Sequence, residues 1–133
     1  MNIVIVSASL LVAAHADPTE RTLAERLHHL LDSQSAVRNA TAKLDKAAAA
    51  KVSAKQNAII AESTAILAKL KGDASAVAFS EVFAAVLADM KRVQTRLAKA
   101  DGGKATQALE EAIIGTLKEM IHALTKSHEL LRL

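Results

Sequence analysis

The 133-residue sequence contains no Cys, Trp or Tyr, and only two Phe, one Pro and four Gly. Without cysteine there is no disulfide framework, no thiolate metal site and no cysteine nucleophile. The shortage of aromatic strand formers excludes an all-β fold. What the chain has in quantity is Ala, at 29 positions, and Leu, at 17, two of the best helix formers. Apolar residues fill 51% of positions, enough at this length for the core of one domain. No G-x-S-x-G elbow, Walker glycine loop or dinucleotide fingerprint occurs, so no small-molecule substrate and no cofactor is inferred, and a noncatalytic protein is expected.

Residues 1–16 lack Asp, Glu, Lys and Arg, and Ile3 to Ala14 is apolar apart from Ser7 and Ser9. Ala14-His15-Ala16 then precedes Asp17-Pro18. An apolar stretch followed by A-x-A reads as a secretory signal peptide over 1–16, although Asn2 stands where a basic residue is usual. Cleavage would make the protein periplasmic or secreted. An uncleaved start would leave it cytoplasmic or on a membrane surface, because the segment is too short to span a bilayer as a helix.

The formal net charge is +3. Between Ala49 and Gly72, Lys51, Lys55, Lys69 and Lys71 face Glu62 alone. Such a helix is usually a solvated face, though it can also touch anionic lipid, nucleic acid or an acidic partner. Single-strand nucleic-acid binding needs aromatic platforms, and Phe79 and Phe83 lie on an apolar stripe, so no nucleic-acid partner is expected.

Asp17-Pro18-Thr19-Glu20 has the chemistry of a helix start, with Asp as cap, Pro at the first helical position and Glu able to reach back. An inward stripe follows in steps of four and three: Leu23, Leu27, Leu30, Gln34, Val37, Thr41 and Leu44. A second runs through Val52, Gln56, Ile59, Ser63, Ile66 and Leu70, and Gly72 is expected to end it in the left-handed conformation. The stripes repeat at an offset of 22: Gln34, Ala36, Val37, Thr41 and Leu44 correspond to Gln56, Ala58, Ile59, Ser63 and Ile66. Two 11-residue units would keep both on one side of a straight helix. Unbroken from Pro18 to Lys71, that helix would reach roughly 80 Å, beyond the reach of its neighbours. Ser53-Ala54-Lys55-Gln56 matches a capping box, which places the expected break at Ala50 to Ser53.

In the second half, Asp73 can cap a helix with the stripe Phe79, Phe83, Val86, Met90, Val93 and Leu97, ending at Asp101-Gly102-Gly103. The last helix, with Glu110 and Glu111 in its first turn, is expected to bury Leu109, Ile113, Leu117, Met120, Leu124 and Leu131. The short Gly-Gly connection makes these two an antiparallel hairpin. Gly115 inside the last helix is expected to mark close approach of a neighbouring helix. The fold class is therefore all-α: an antiparallel four-helix bundle, or one long helix plus a C-terminal helical hairpin. A single domain over 17–133 would carry helices at about 18–48, 53–71, 74–100 and 105–132.

Glu25-x-x-His28 and Glu119-x-x-His122, with Glu62 and Glu81 on the other helices, imitate a di-iron ligand set. At about 100° per residue, Glu25 and Glu119 lie roughly 200° from Leu23 and Leu117, pointing away from the core, so no metal site is expected. His28-His29, His122 and His128 likewise lack the converging ligands that zinc requires. The polar seam residues Gln34, Thr41, Gln56 and Ser63 say more, because polar groups on a helical seam can fix register and partner choice. They are the partner-seam candidates; the bland reading is internal register, or Ser and Thr bonding back to their own helix carbonyls.

The segment Val86 to Leu124, through Ala88-Asp89-Met90-Lys91, Val93, Arg96-Leu97, Gly102, Thr106-Gln107, Ile113-Ile114, Leu117 and Met120-Ile121, resembles the C-terminal part of uncharacterised secreted bacterial helical proteins. The doubled Gln-and-Thr pattern is similar to their N-terminal part. That resemblance implies an extracytoplasmic protein associated with proton-motive-force-driven transport proteins of the ExbB/ExbD and TolQ/TolR kind. It carries over no catalytic or binding residue. The functional expectation is a noncatalytic exported interaction or scaffolding protein of the bacterial cell envelope, with a protein partner or self-association. The alternative is an amphipathic protein that opens onto a lipid or polymer-granule surface, against which the scarcity of interfacial aromatics weighs. A metal-dependent four-helix enzyme is a remote third.

Overall fold

The computed structural model describes residues 22–132, with side chains through Lys126. The expected signal peptide and the pair Asp17-Pro18 therefore lie outside what is described, as does the side chain of the stripe position Leu131; the start of α1 is described, and it is at the cap Thr22, not at the expected Pro18. Helix α1 runs over Leu23–Thr41, α2 over Lys46–Lys71, α3 over Val77–Ala98 and α4 over Lys104–Arg132, and a short 3-10 turn, Ala74–Ala76, leads into α3. Among the described residues there is no strand. Each helix packs on the next and α4 closes back on α1, which makes the fold an antiparallel four-helix bundle.

The expected stripes form the core. Leu27, Leu30, Gln34, Val37 and Thr41 are buried on α1, and Val52, Gln56, Ile59, Ser63, Ile66 and Leu70 on α2. Phe83, Val86, Met90, Val93 and Leu97 face them from α3, with Ile113, Leu117 and Met120 from α4. The end members Leu23, Leu44, Phe79, Leu109 and Leu124 are partly buried against the same cluster. A four-three stripe buried at this density supplies the stability of helices whose local propensity alone would leave them marginal.

The break between the first two helices is at Ala42–Asp45, not at the expected Ala50 to Ser53, and the long-helix alternative is thereby excluded. Asp45 is the N-cap of α2: its carboxylate accepts the Ala48 amide at 2.8 Å. The four alanines Ala47 to Ala50 belong to α2, just after its first residue Lys46, rather than to a connection, as their high propensity favours. Gln56 cannot complete the box suggested by Ser53-Ala54-Lys55-Gln56, because its amide is engaged in the core with Gln34 and the Met90 carbonyl. Ser53 instead accepts a hydrogen bond from Gln94 of α3 at 2.6 Å.

The other ends follow ordinary capping chemistry. Thr22 and Glu25 form a reciprocal capping box at the start of α1, so Glu25 serves the backbone of its own helix. Gly72 ends α2 with φ −78°, in the right-handed region, which corrects the left-handed expectation. The left-handed residue is Ala100, φ 58°, after α3. The Asp101 amide bonds the Arg96 carbonyl and the Ala100 amide bonds that of Leu97, a Schellman closure. Gly102 is required for space: a Cβ there would sit 2.6 Å from the Thr41 carbonyl oxygen and 2.9 Å from Leu44 Cβ. The two turns at this end of the bundle thus lie directly on one another. Gly115, expected at a close helix contact, is exposed with nothing within 4 Å of an added Cβ.

Candidate functional site

Polar groups enter the core at three levels, each supplied by the seam. In the middle, Gln34 of α1 and Gln56 of α2 exchange amide hydrogen bonds at 2.8 and 3.2 Å, and Gln56 also donates to the Met90 carbonyl at 3.4 Å. Both glutamines are fully buried. Nearer the α2–α3 connection, the Ser63 hydroxyl meets the Met90 sulfur at 3.3 Å. At the opposite end, the Thr41 hydroxyl lies 2.6 Å from Glu110 Oε2 of α4 and 2.8 Å from the Val37 carbonyl oxygen.

All four partner-seam candidates, Gln34, Thr41, Gln56 and Ser63, are therefore inside the bundle, and each meets a group on another helix. Burying such groups unpaired costs about 1–3 kcal/mol each, so their mutual bonds select one alignment of helices over slipped ones. A partner could reach this seam only by opening the bundle.

Thr106 and Glu110 are polar core members that the stripe assignment left out; both are fully buried. The signal was present: Thr106, Glu110 and Ile113 continue the four-three steps of Leu117 and Met120 backwards. The first-turn preference for acidic residues offered a competing explanation of Glu110. Burial raises the Glu110 carboxyl above its ordinary pKa and neighbouring Glu111 adds to this, while the Thr41 hydrogen bond and the Arg38 charge oppose it. Arg38 pairs with Glu111 at 3.1 Å rather than with Glu110. Far from this cluster, exposed Asp73 is held below its ordinary value by hydrogen bonds from the Ser75 hydroxyl and amide.

The residues that imitate a di-iron set do not converge. Glu25, His28, Glu81, Glu119 and His122 are all exposed, and Glu62 pairs at the surface with His29 at 3.4 Å. Among the described residues no group of three or more His, Asp or Glu is placed to hold a metal ion. No described helix is long and apolar enough to cross a membrane. An open groove of about 600 Å³ lies between the start of α2 and the end of α3. Ala49, Ala50, Ala54 and Ala98 line it together with Lys46 and Lys99. Compared with protein-family models, with curated proteins and with solved structures, the chain matches none.

Proposed function

We propose that the protein is a noncatalytic helical interaction or scaffolding subunit, exported to the bacterial cell envelope, that binds an acidic segment of a protein partner in the α2–α3 groove. The observation that carries this reading is the division of polar groups. Those inside the bundle bond to one another and fix its alignment, whereas the exposed ones leave a basic, small-residue surface. Alanines lining a groove let another backbone approach closely, and lysines lining the same groove favour carboxylates through charge complementarity. Elsewhere on α2, Lys51, Lys55, Lys69 and Lys71 are exposed, and Glu62 is the single acid between Ala49 and Gly72. The charge-free start and its A-x-A site support export. In the lipid- or granule-binding alternative the apolar stripes would have to leave a core in which they are already paired.

A photo-crosslinking residue placed at Ala54, in the groove, and separately at exposed Ala112 on α4 tests this in the native host. The reading expects a discrete adduct from Ala54 only, in the envelope fraction, with Asp17 as the mature terminus and with loss of the adduct when Lys46 and Lys99 are changed to Glu. Equal adducts from both positions, or none from Ala54, would overturn the groove. A mature chain that keeps residues 1–16 would overturn export.

A further inference from the structure

The fully buried carboxyl of Glu110 sits in a hydrogen-bond arrangement that has too few protons when it is ionised. Thr41 Oγ1 carries one hydrogen, yet lies 2.6 Å from Glu110 Oε2 and 2.8 Å from the Val37 carbonyl oxygen. With Glu110 ionised, the hydroxyl can point at only one of the two acceptors. The other then faces the Thr41 oxygen lone pair to lone pair at hydrogen-bond distance. With a proton on Glu110 Oε2, both contacts are satisfied: Glu110 donates to Thr41 and Thr41 donates to Val37. The second oxygen, Oε1, is buried with no hydrogen-bond partner, as is the Thr106 hydroxyl one turn earlier. A neutral carbonyl-type oxygen tolerates that surrounding far better than a shared negative charge.

The charged neighbours oppose one another. From α1 the facing charge is Arg38, which favours an ionised Glu110 but bonds Glu111 Oε2 at 3.1 Å, its buried Nε having no hydrogen-bond partner; from α4 itself it is Glu111, of the same sign as an ionised Glu110. From α3 the core positions at this end are Val93 and Leu97, and Arg96 is turned to Asp101 in the α3–α4 turn at 3.3 Å. From α2 they are Ala49 and Val52. The lysines of this end, Lys43, Lys46, Lys99 and Lys104, are exposed.

We propose that Glu110 is a proton-dependent latch: protonated, it locks α4 to α1 through Thr41; ionised, it loosens the end of the bundle where the two turns meet. The mechanical link is short, since Gly102 of the α3–α4 turn rests against the carbonyl of the same Thr41. Loosening at Thr41 therefore reaches both connections at once. The raised carboxyl pKa agrees with this arrangement. Its sign is fixed by linkage. A carboxyl whose folded pKa exceeds its unfolded value contributes stability that is fully present below the unfolded value and is lost as pH rises through the folded one.

The test is carbon-13 titration of the Glu110 side-chain carboxyl in the full chain, together with urea unfolding of the wild type and Glu110→Gln between pH 4 and about 8. Gln keeps a donor for Thr41 and does not titrate. The latch predicts a carboxyl midpoint above the ordinary glutamate value. It also predicts that the folding constant of the wild type falls against that of Glu110→Gln as pH rises, by about tenfold per unit of upward shift. Hydrogen-exchange protection of the α1 C-terminus and the α3–α4 turn, corrected for the intrinsic pH dependence of amide exchange, should fall over the same range in the wild type alone. A midpoint at or below the ordinary value, or parallel pH profiles for the two proteins, overturns the proposal. Should Glu110→Gln fail to fold, the carbon-13 midpoint and the exchange profile of the wild type decide it alone.

Discussion

Gln34 and Gln56 bind each other through both amide groups, Nε2 of Gln34 to Oε1 of Gln56 at 2.8 Å and Nε2 of Gln56 to Oε1 of Gln34 at 3.2 Å. They are also equivalent positions of the 22-residue sequence repeat. A repeat that meets itself in this way has been folded back, with Asp45 midway between the two glutamines and acting as the cap of the returning helix. The consequence is energetic as well as geometric. Removing one amide strands the other in the core, whereas removing both leaves an apolar layer.

Gln34→Leu or Gln56→Leu alone should cost about 1–3 kcal/mol in urea unfolding, the penalty of an unpaired buried amide. The double variant should recover much of that loss, giving a coupling energy of the opposite sign to the single effects. Its side-chain resonances should broaden, because apolar layers resist slippage less than paired amides do. Additive losses in the cycle would mean that the two glutamines act independently.

Ala50 is in the body of α2, five residues past the Asp45 cap. Ala50→Pro should therefore destabilise by about 3 kcal/mol or more, since the ring removes an amide donor and clashes with the preceding turn. Asp45→Ala should cost about 0.5–2 kcal/mol through the lost cap. A chain that turned at Ala50 to Ser53 would accept the proline and ignore the aspartate, so chemical denaturation of these two variants separates the alternatives.

Three small-residue substitutions should differ in sign. Gly102→Ala drives a Cβ to 2.6 Å from a backbone oxygen and should destabilise by roughly 1–3 kcal/mol. Gly115→Ala meets open space inside α4 and should stabilise by about 1 kcal/mol. Ala100→Gly should also stabilise, by about 1 kcal/mol, because it relieves a left-handed φ of 58°. Thermal unfolding of the three single variants reads all of these directly.

The core was legible because each of its stripes keeps one spacing over several turns, and a seam such as Leu27, Leu30, Gln34, Val37 and Thr41 has one inward direction whatever its neighbours are. The connection was misplaced because Ala47 to Ala50 has no breaker, and the deciding contact, Asp45 to the Ala48 amide, competes with an equally plausible cap at Ser53. Only tertiary contacts distinguish them: the core claims Gln56, and Gln94 claims Ser53. Gly102 falls in the expected turn, and only its steric reason lies elsewhere in the chain. Gly102 is demanded by Thr41 of a different helix, and no local pattern announces a neighbour distant in sequence. Glu110 lay on the stripe by spacing but is charged in its reference state, so its burial follows from Thr41 across the interface and not from its own helix.

Spin labels at exposed His28 and Ala61 test most directly whether the repeat folds back within one chain. Thirty-three residues apart, they would be separated by about 50 Å along one straight helix. The folded-back bundle places His29 and Glu62, their immediate neighbours, in contact at 3.4 Å. Pulsed dipolar spectroscopy should give a short distance set by helix axes about 8–10 Å apart and the reach of the label arms. That distance should persist unchanged when labelled chains are diluted with unlabelled ones. A distance near 50 Å, or a short distance that disappears on dilution, would contradict an internal seam and assign Gln34 and Gln56 to a contact between chains.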